Sequence, residues 1–179
     1  MNYEVICLNI RSAKTSDAER LLKIYSYYVE NTAITFEYDV PSLKEFSERI
    51  ENTLKKYPYL VLEENGDIKG YAYANAFHSR AAYSHCSELS IYIDKNSRGL
   101  GYGRALYTEL ESRLKNMGIL NLYACIGSPV TEDEFLTNSS QLFHSHLGFT
   151  KIGEFHNCGY KFGRWYNMIY MEKLIGHHN

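Results

Sequence analysis

Cysteine is scarce and scattered in this chain: Cys7, Cys86, Cys125 and Cys158 make four in all, with no C-x-x-C pair among them. That spacing suits neither a zinc site nor a disulfide scaffold, and it fits a reducing, cytoplasmic compartment. Long apolar runs are missing too, since no window approaches the roughly 18 consecutive apolar residues of a membrane span. Nor is there a surplus of positive charge. Lys and Arg number 19 against 21 Asp and Glu, a net charge of −2, and no basic run occurs. A general nucleic-acid binder is disfavoured on that ground. The first eleven residues lack the basic n-region and small-residue cleavage site of a signal peptide. No internal repeat, low-complexity tract or linker interrupts the chain. With 179 residues, 45% hydrophobic and 22% charged, one globular domain over residues 1–179 is expected.

Tyrosine, by contrast, is abundant. There are 17 Tyr beside 8 Phe and 1 Trp, so aromatic residues reach 15%. Tyrosine buries a ring while keeping a hydroxyl for hydrogen bonding, which suits pocket walls, interfaces and the edge of a core.

Residues 8–11 read as a short strand. Ser16 and Asp17 offer a helix N-cap ahead of Leu21, Leu22, Ile24, Tyr25 and Tyr28 at helical spacing. A β-rich stretch at 33–38 ends at Pro41. Ser42 with Glu45 three positions on forms a capping box that opens a helix to about residue 56. Strands at 59–63 and 68–74 flank Asn65-Gly66, a strong hairpin signal. Residues 88–93 form a strand, and a glycine-rich turn then leads to a helix with Ala105, Leu106, Leu110, Leu114 and Met117 on one face. The nearly all-apolar run 121–127 is expected to be a strand covered on both faces. A short helix at 138–147 stops at Gly148, and strands follow at 149–155 and 167–172. Hairpins early and β-α-β-α-β later predict an α/β (α+β) fold, a mixed sheet with helices on both faces.

The turn Arg98-Gly99-Leu100-Gly101-Tyr102-Gly103 places bare backbone N–H groups at the positive end of a helix, where a bulky anion can approach closely. A pyrophosphate fits that description. The string is neither a P-loop nor, with Arg104 where a glycine is required, a dinucleotide fingerprint. In the preceding strand, period-two alternation sets Glu88, Ser90 and Tyr92 on one face and Leu89, Ile91 and Ile93 on the other. A carboxylate on the polar face of a central strand is placed to take a proton from a substrate amine. Arg80, in a loop with His78 and Tyr83, can fork onto a carboxylate. Cys86 shares a strand face with Glu88, so an acyl-cysteine route is an alternative. His144 and His146 lie two apart on a helix and cannot jointly hold a metal; no metal is expected.

Arg98-x-x-Gly101-x-Gly103 between a strand and an amphipathic helix resembles the pyrophosphate loop of the GCN5-related N-acetyltransferases, which use acetyl-CoA. Tyr57-Pro58-Tyr59-Leu60-Val61, Arg80-Ala81-Ala82-Tyr83, Glu88, Ile126-Gly127, His144-x-x-Leu147-Gly148-Phe149 and the stretch from Gly159 to Trp165 narrow the likeness. They resemble the phosphinothricin and methionine sulfoximine acetyltransferase branch, which acetylates the amino group of small amino-acid-like compounds. The resemblance implies a mixed, splayed sheet of about six to seven strands and a homodimer. It implies that Glu88 is the catalytic base, and that backbone groups of Leu89, Ser90, Ile91, Tyr92 and Ile93 hold the pantetheine arm. Arg98, Gly99, Leu100, Gly101, Tyr102, Gly103 and Arg104 would bind the pyrophosphate. His78, Arg80 and Tyr83 would bind the acceptor. His144 stands where related enzymes carry a tyrosine that protonates the leaving thiolate. Asn138 lies one residue from the family's pantetheine-contacting asparagine. Lys161 is placed to bind the acceptor, and it and Arg164 could equally serve a partner subunit. A peptide or protein amine as acceptor, or a non-catalytic acyl-CoA-binding module, stay open as alternatives.

Overall fold

The computed structural model describes residues 7–178. The signal-peptide reading of the first eleven residues falls partly on positions 1–6, outside the described residues. Seven strands form one sheet: β1 (Leu8–Ser12), β2 (Tyr59–Glu64), β3 (Asp67–Ala76), β4 (Cys86–Ile93), β5 (Asn121–Ser128), β6 (Thr150–Lys161) and β7 (Arg164–Leu174). Their spatial order is β1-β2-β3-β4-β5-β7-β6. Every neighbouring pair is antiparallel except β4 and β5. A parallel pair needs a long crossover, and helix α3 (Tyr102–Asn116) supplies it. Helices α1 (Ala18–Asn31) and α2 (Leu43–Leu54) cover one face of the sheet, and α3 with α4 (Ser139–His146) covers the other.

Local chemistry explains most boundaries. Asn65 and Gly66 both take positive φ, 51° and 84°, as a two-residue hairpin turn requires. The Ser42 side chain accepts from the Glu45 N–H at 3.2 Å, satisfying a free donor at the start of α2. β2 is buried on both faces: Leu60 and Leu62 pack with Leu106, Leu110 and Leu114 of α3, while Tyr59 and Val61 pack with Ile24 and Val29 of α1 and Ile50 of α2. Each such side chain contributes on the order of 1.5–3 kcal/mol of burial.

Four expectations are corrected. Residues 33–38 form no strand but a bent loop between α1 and α2. β5 is not covered on both faces; alternate residues Leu122, Ala124 and Ile126 are buried, while Cys125 is exposed. Met117 is 49% exposed, and Tyr107 joins the buried face of α3 in its place. β6 runs on to Lys161 and returns through a tight turn at Phe162 and Gly163, with φ of 52° and 74°.

Lys161 is the reason the loop holds its shape. Its side chain is 2% exposed, and its ammonium donates to the carbonyls of Val29, Thr32 and Thr35 at 2.8, 2.9 and 2.8 Å. All three hydrogens are thereby used inside the fold, which corrects its expected role as an acceptor ligand. Replacing it by Met would leave three inward carbonyls without their donor, each orphaned group costing on the order of 1–3 kcal/mol. Lys161→Met is therefore expected to lose about 3 kcal/mol of unfolding free energy in urea denaturation. A loss below about 0.5 kcal/mol would show that water replaces the ammonium freely.

Candidate active site

The two central parallel strands stay paired over only three positions, Cys86 with Asn121, Ser87 with Leu122 and Glu88 with Tyr123. Past Glu88 they diverge, while β3 keeps its ladder to β4 as far as Gly70 opposite Ile93. The backbone edge of residues 89–93 that faces β5 is therefore left without a partner strand. A small cleft there is lined by Leu89, Ser90, Tyr92, Tyr107, Ala124 and His144.

It adjoins a larger cavity of about 460 Å³ at the start of α3, lined by Ile91, Ile93, Arg98, Gly99, Gly101, Tyr102, Gly103, Arg104, Ser139, Ser140 and Phe143. Ala105 is the first residue of α3 to reach back, its N–H donating to the Gly101 carbonyl at 3.1 Å. The N–H groups of Tyr102, Gly103 and Arg104 thus have no helical partner and sit at the positive end of a 15-residue helix. Gly101 has a φ of 82°, and a Cβ on Gly103 would stand 3.0 Å from the Phe143 ring. The conformation at Gly101 suits glycine, and Gly103 leaves room for the Phe143 ring. Arg98 lies over the Tyr28 ring at 5.0 Å, with its charge beside the cavity. These features suit a pyrophosphate carrying a long apolar-walled arm. Of the residues expected here, Leu100 points outward at 60% exposure, and Asn138 is not on the cavity wall, which Ser139 and Ser140 form instead.

Glu88 is half-buried at the point of divergence. Burial raises its pKa above the ordinary carboxylate range, opposed by a hydrogen bond from Tyr170, 3.4 Å away, and by the nearby His78. Around it lies an aromatic wall. Phe77 stacks on Tyr123 at 4.1 Å and meets Tyr170 edge-on at 6.2 Å, and Tyr83 contacts both Phe77 and His78. Arg80 begins the turn that carries Tyr83, is exposed, and has no ion-pair partner among the described residues. The fold thus brings Glu88, His78 and Tyr83 together with Arg80 in the same loop. Phe77, Tyr123 and Tyr170 were not anticipated. The alternation of β5 and β7 held the signal, but only the pairing of Cys125 with Tyr170 and of Tyr123 with Glu88 brings it to one place.

His144 differs from its expected state. It is 3% exposed, its Nδ1 lies 2.8 Å from the Ser140 carbonyl, and its Nε2 lies 3.0 Å from the Tyr107 hydroxyl. A carbonyl only accepts, so Nδ1 carries the hydrogen and Tyr107 donates to Nε2. Burial lowers the His144 pKa to about 4. A neutral imidazole with both nitrogens engaged has no proton aimed at the cleft; beside it there lies the Tyr107 hydroxyl, bonded to His144 Nε2. Burial also raises the Cys86 thiol, which makes it a poor nucleophile. Lys161 is tied to backbone as described above. Arg164 forks onto Glu134 at 2.8 and 3.0 Å and meets Asp133 at 2.9 Å, so it braces the 128–138 loop. Among the described residues no group of three or more His, Cys, Asp or Glu could hold a metal ion.

A family model described as an acetyltransferase (GNAT) domain matches residues 10–170. The chain belongs to the GNAT acetyltransferase family. Among curated relatives, the phosphinothricin N-acetyltransferase of Streptomyces viridochromogenes is 29% identical, over 93% of this chain and 87% of its own length. The L-methionine sulfoximine/L-methionine sulfone acetyltransferase of Salmonella typhimurium is 29% identical over 96% of each. Among solved structures, a GNAT superfamily phosphinothricin acetyltransferase from Sinorhizobium meliloti in complex with acetyl-CoA superimposes with a TM-score of 0.86 at 35% identity, covering 94% of this chain and 89% of that one. The mixed, splayed seven-stranded sheet of this GNAT chain agrees with the fold expected from its sequence.

The buried neutral His144 makes stability depend on pH. Unfolded, the imidazole has its ordinary pKa of 6.5; folded, about 4. Between those values the unfolded chain takes up a proton that the folded chain refuses. Stability is therefore complete above pH 6.5 and declines as pH falls toward 4, by about 3 kcal/mol in total. His144→Gln should remove most of that slope. Urea unfolding at pH 7.5 and pH 5 tests it, and equal slopes for variant and parent would refute the buried neutral state.

Proposed function

We propose that this chain, as a single domain over residues 1–179, is an acetyl-CoA-dependent N-acetyltransferase acting on the amino group of a small amino-acid-like acceptor. Transfer is by direct attack in a ternary complex. The observation that carries this reading is Glu88 itself. Its raised-pKa carboxylate stands where the cleft between β4 and β5 meets the aromatic wall, so a base lies between a cofactor-shaped groove and an acceptor-sized site. The relatives named for phosphinothricin and methionine sulfoximine acetylation favour an acceptor of this class.

When bound, acetyl-CoA supplies an acetyl group activated as a thioester. The free N–H groups at the start of α3, with Arg98 and Arg104, hold its pyrophosphate, and the unpaired edge of residues 89–93 holds the pantetheine arm. Arg80, with His78 and Tyr83 beside it, receives the acceptor's carboxylate. Glu88 takes the proton that an α-ammonium must lose before its nitrogen can attack. Tyr107 turns its one hydroxyl hydrogen from His144 Nε2 to the departing sulfur, the role expected of His144. The chain works as a cytoplasmic homodimer; the four free cysteines fit a reducing compartment. The sheet edge β6, with exposed Ile152, Phe155, Tyr160 and the neighbouring Trp165, offers a surface for a second copy.

Glu88→Gln keeps the shape but cannot accept the proton, and should lower kcat by roughly 10²–10⁴-fold in a coenzyme-A-release assay with amino-acid acceptors. Parent kcat/KM should rise with pH through the raised Glu88 pKa and then level, while the variant should recover part of its loss toward pH 9, where free α-amines deprotonate. Full activity of the variant at neutral pH would overturn the base assignment. Tyr107→Phe, which removes only the hydroxyl, should cost roughly 10²-fold or less, with acetyl-CoA affinity by calorimetry unchanged. A parent-like rate would return the pair to a purely structural role.

A further inference from the structure

Two glycines stand on the strands either side of β7: Gly127 on β5, opposite Met168, and Gly159 on β6, opposite Tyr166. Neither has a positive φ, so conformation does not call for glycine at either place. A glycine inside a strand then marks the close approach of another group. Here that group is the loop between α1 and α2. A Cβ on Gly127 would stand 2.9 Å from the Ala33 carbonyl oxygen, and one on Gly159 would stand 2.5 Å from the Phe36 ring. The same ring comes within 3.6 Å of the Gly127 position, so it lies across both bare spots. Ala33 is fully buried and, with Leu136 and Tyr166, forms a small core apart from the two that hold the helices to the sheet.

Ile34 lies between these two anchors in the chain, and Lys161 takes the Thr32 and Thr35 carbonyls on either side of it. Among the described residues, three border both the large cavity at the start of α3 and the small cleft between β4 and β5: Ile34, Ile91 and Ser140. Ile91 comes from β4 and Ser140 from α4, so Ile34 closes this junction from the loop between α1 and α2. A chain that runs from the cavity into the cleft passes its side chain. The cleft is only about 60 Å³, so a small shift of one wall changes it appreciably.

We infer that Ile34 binds the arm of the coenzyme by closing over it where cavity and cleft meet, and that Gly127 and Gly159 are positioning residues that set Ile34 there through Ala33 and Phe36. This rests on the acetyltransferase reading above and adds to its coenzyme site a wall that the strands and α3 do not supply.

The test is calorimetric titration of coenzyme A and of acetyl-CoA, with kcat and KM for acetyl-CoA measured beside it. Ile34→Ala should weaken both ligands by roughly tenfold, as the loss of apolar contact along an arm common to both requires. Its kcat at saturation should stay within about threefold of the parent. Gly127→Ala pushes on backbone rather than on a flexible side chain, and should weaken both ligands at least about fivefold. In an Ile34→Ala background the same change should cost less than about twofold, because it acts through a side chain no longer present. Parent-like affinity in an Ile34→Ala variant that keeps its circular dichroism would overturn the inference and leave the acetyltransferase reading intact. So would a fall in kcat alone, the mark of a loosened fold, or losses that simply multiply in the double variant. If Gly127→Ala does not fold, Phe36→Leu, which withdraws the ring from both glycines, takes its place in the same cycle. A parent chain that binds neither coenzyme A nor acetyl-CoA would overturn the acetyltransferase reading and this inference with it.

Discussion

The divergence of β4 from β5 is the constraint on which the rest depends. A parallel pair in the middle of a sheet would ordinarily continue its ladder, and three paired positions are few for strands of eight residues each. Side chains, not a continued ladder, line the opening between them. Tyr107 of α3 and His144 of α4 line the opening, bonded to each other rather than to the strands. The crossover through α3 then puts the helix start, with its free N–H groups, just beyond the end of the unpaired edge. One geometric event therefore produces a groove, free N–H groups at its end and a half-buried carboxylate at its mouth.

Opposite the groove, the loop between α1 and α2 is specified from far away. Its composition at Ile34, Thr35, Phe36 and Tyr38 favours a strand, yet no neighbouring strand is there to pair with it. Its polar backbone is satisfied instead by Lys161, 132 positions from Val29 in the chain, and by the Phe135 carbonyl, which accepts from the Ala33 N–H at 3.0 Å. The tyrosines continue this logic. Tyr59, Tyr71, Tyr73 and Tyr92 pack their rings between sheet and helices, with the stacked pair Tyr59 and Tyr73 at 4.7 Å. They fill volume as leucines would, while keeping hydroxyls that can hydrogen-bond.

This contrast explains what could be read from sequence. Features fixed by neighbours in the chain were legible: the Asn65-Gly66 hairpin, the Ser42 cap, the glycine turn before α3, and the alternation that turns Glu88 away from Leu89. Features fixed by pairing were not. The apolar composition of 121–127 reads as a doubly covered strand, but its register opposite β4 and β7 turns Tyr123 and Cys125 into the open site. The Tyr107–His144 bond joins positions 37 apart on two helices, and no period within either helix indicates it. Lys161 illustrates the same point from the other side. A lysine in the Tyr160–Trp165 stretch reads as an acceptor or partner contact, and only the three carbonyls around it make it a fastener.

Glu88 shows how such distant pieces combine into chemistry. A base for an ammonium must be ionised near neutral pH and yet hold a proton better than an ordinary carboxylate does. Burial pushes its pKa upward, toward a state in which the group holds its proton at neutral pH and loses its use. Here the upward push is checked by Tyr170 and His78. Those two are placed by the same aromatic wall: Phe77 meets Tyr170 edge-on and packs against His78 at 4.3 Å. The side chains that exclude water from Glu88 therefore also hold the groups that keep it ionisable. Loosening the 77–83 loop would change both influences together, in opposite directions. The ionisation of the proposed base is thus set by the packing of the aromatic wall beside it.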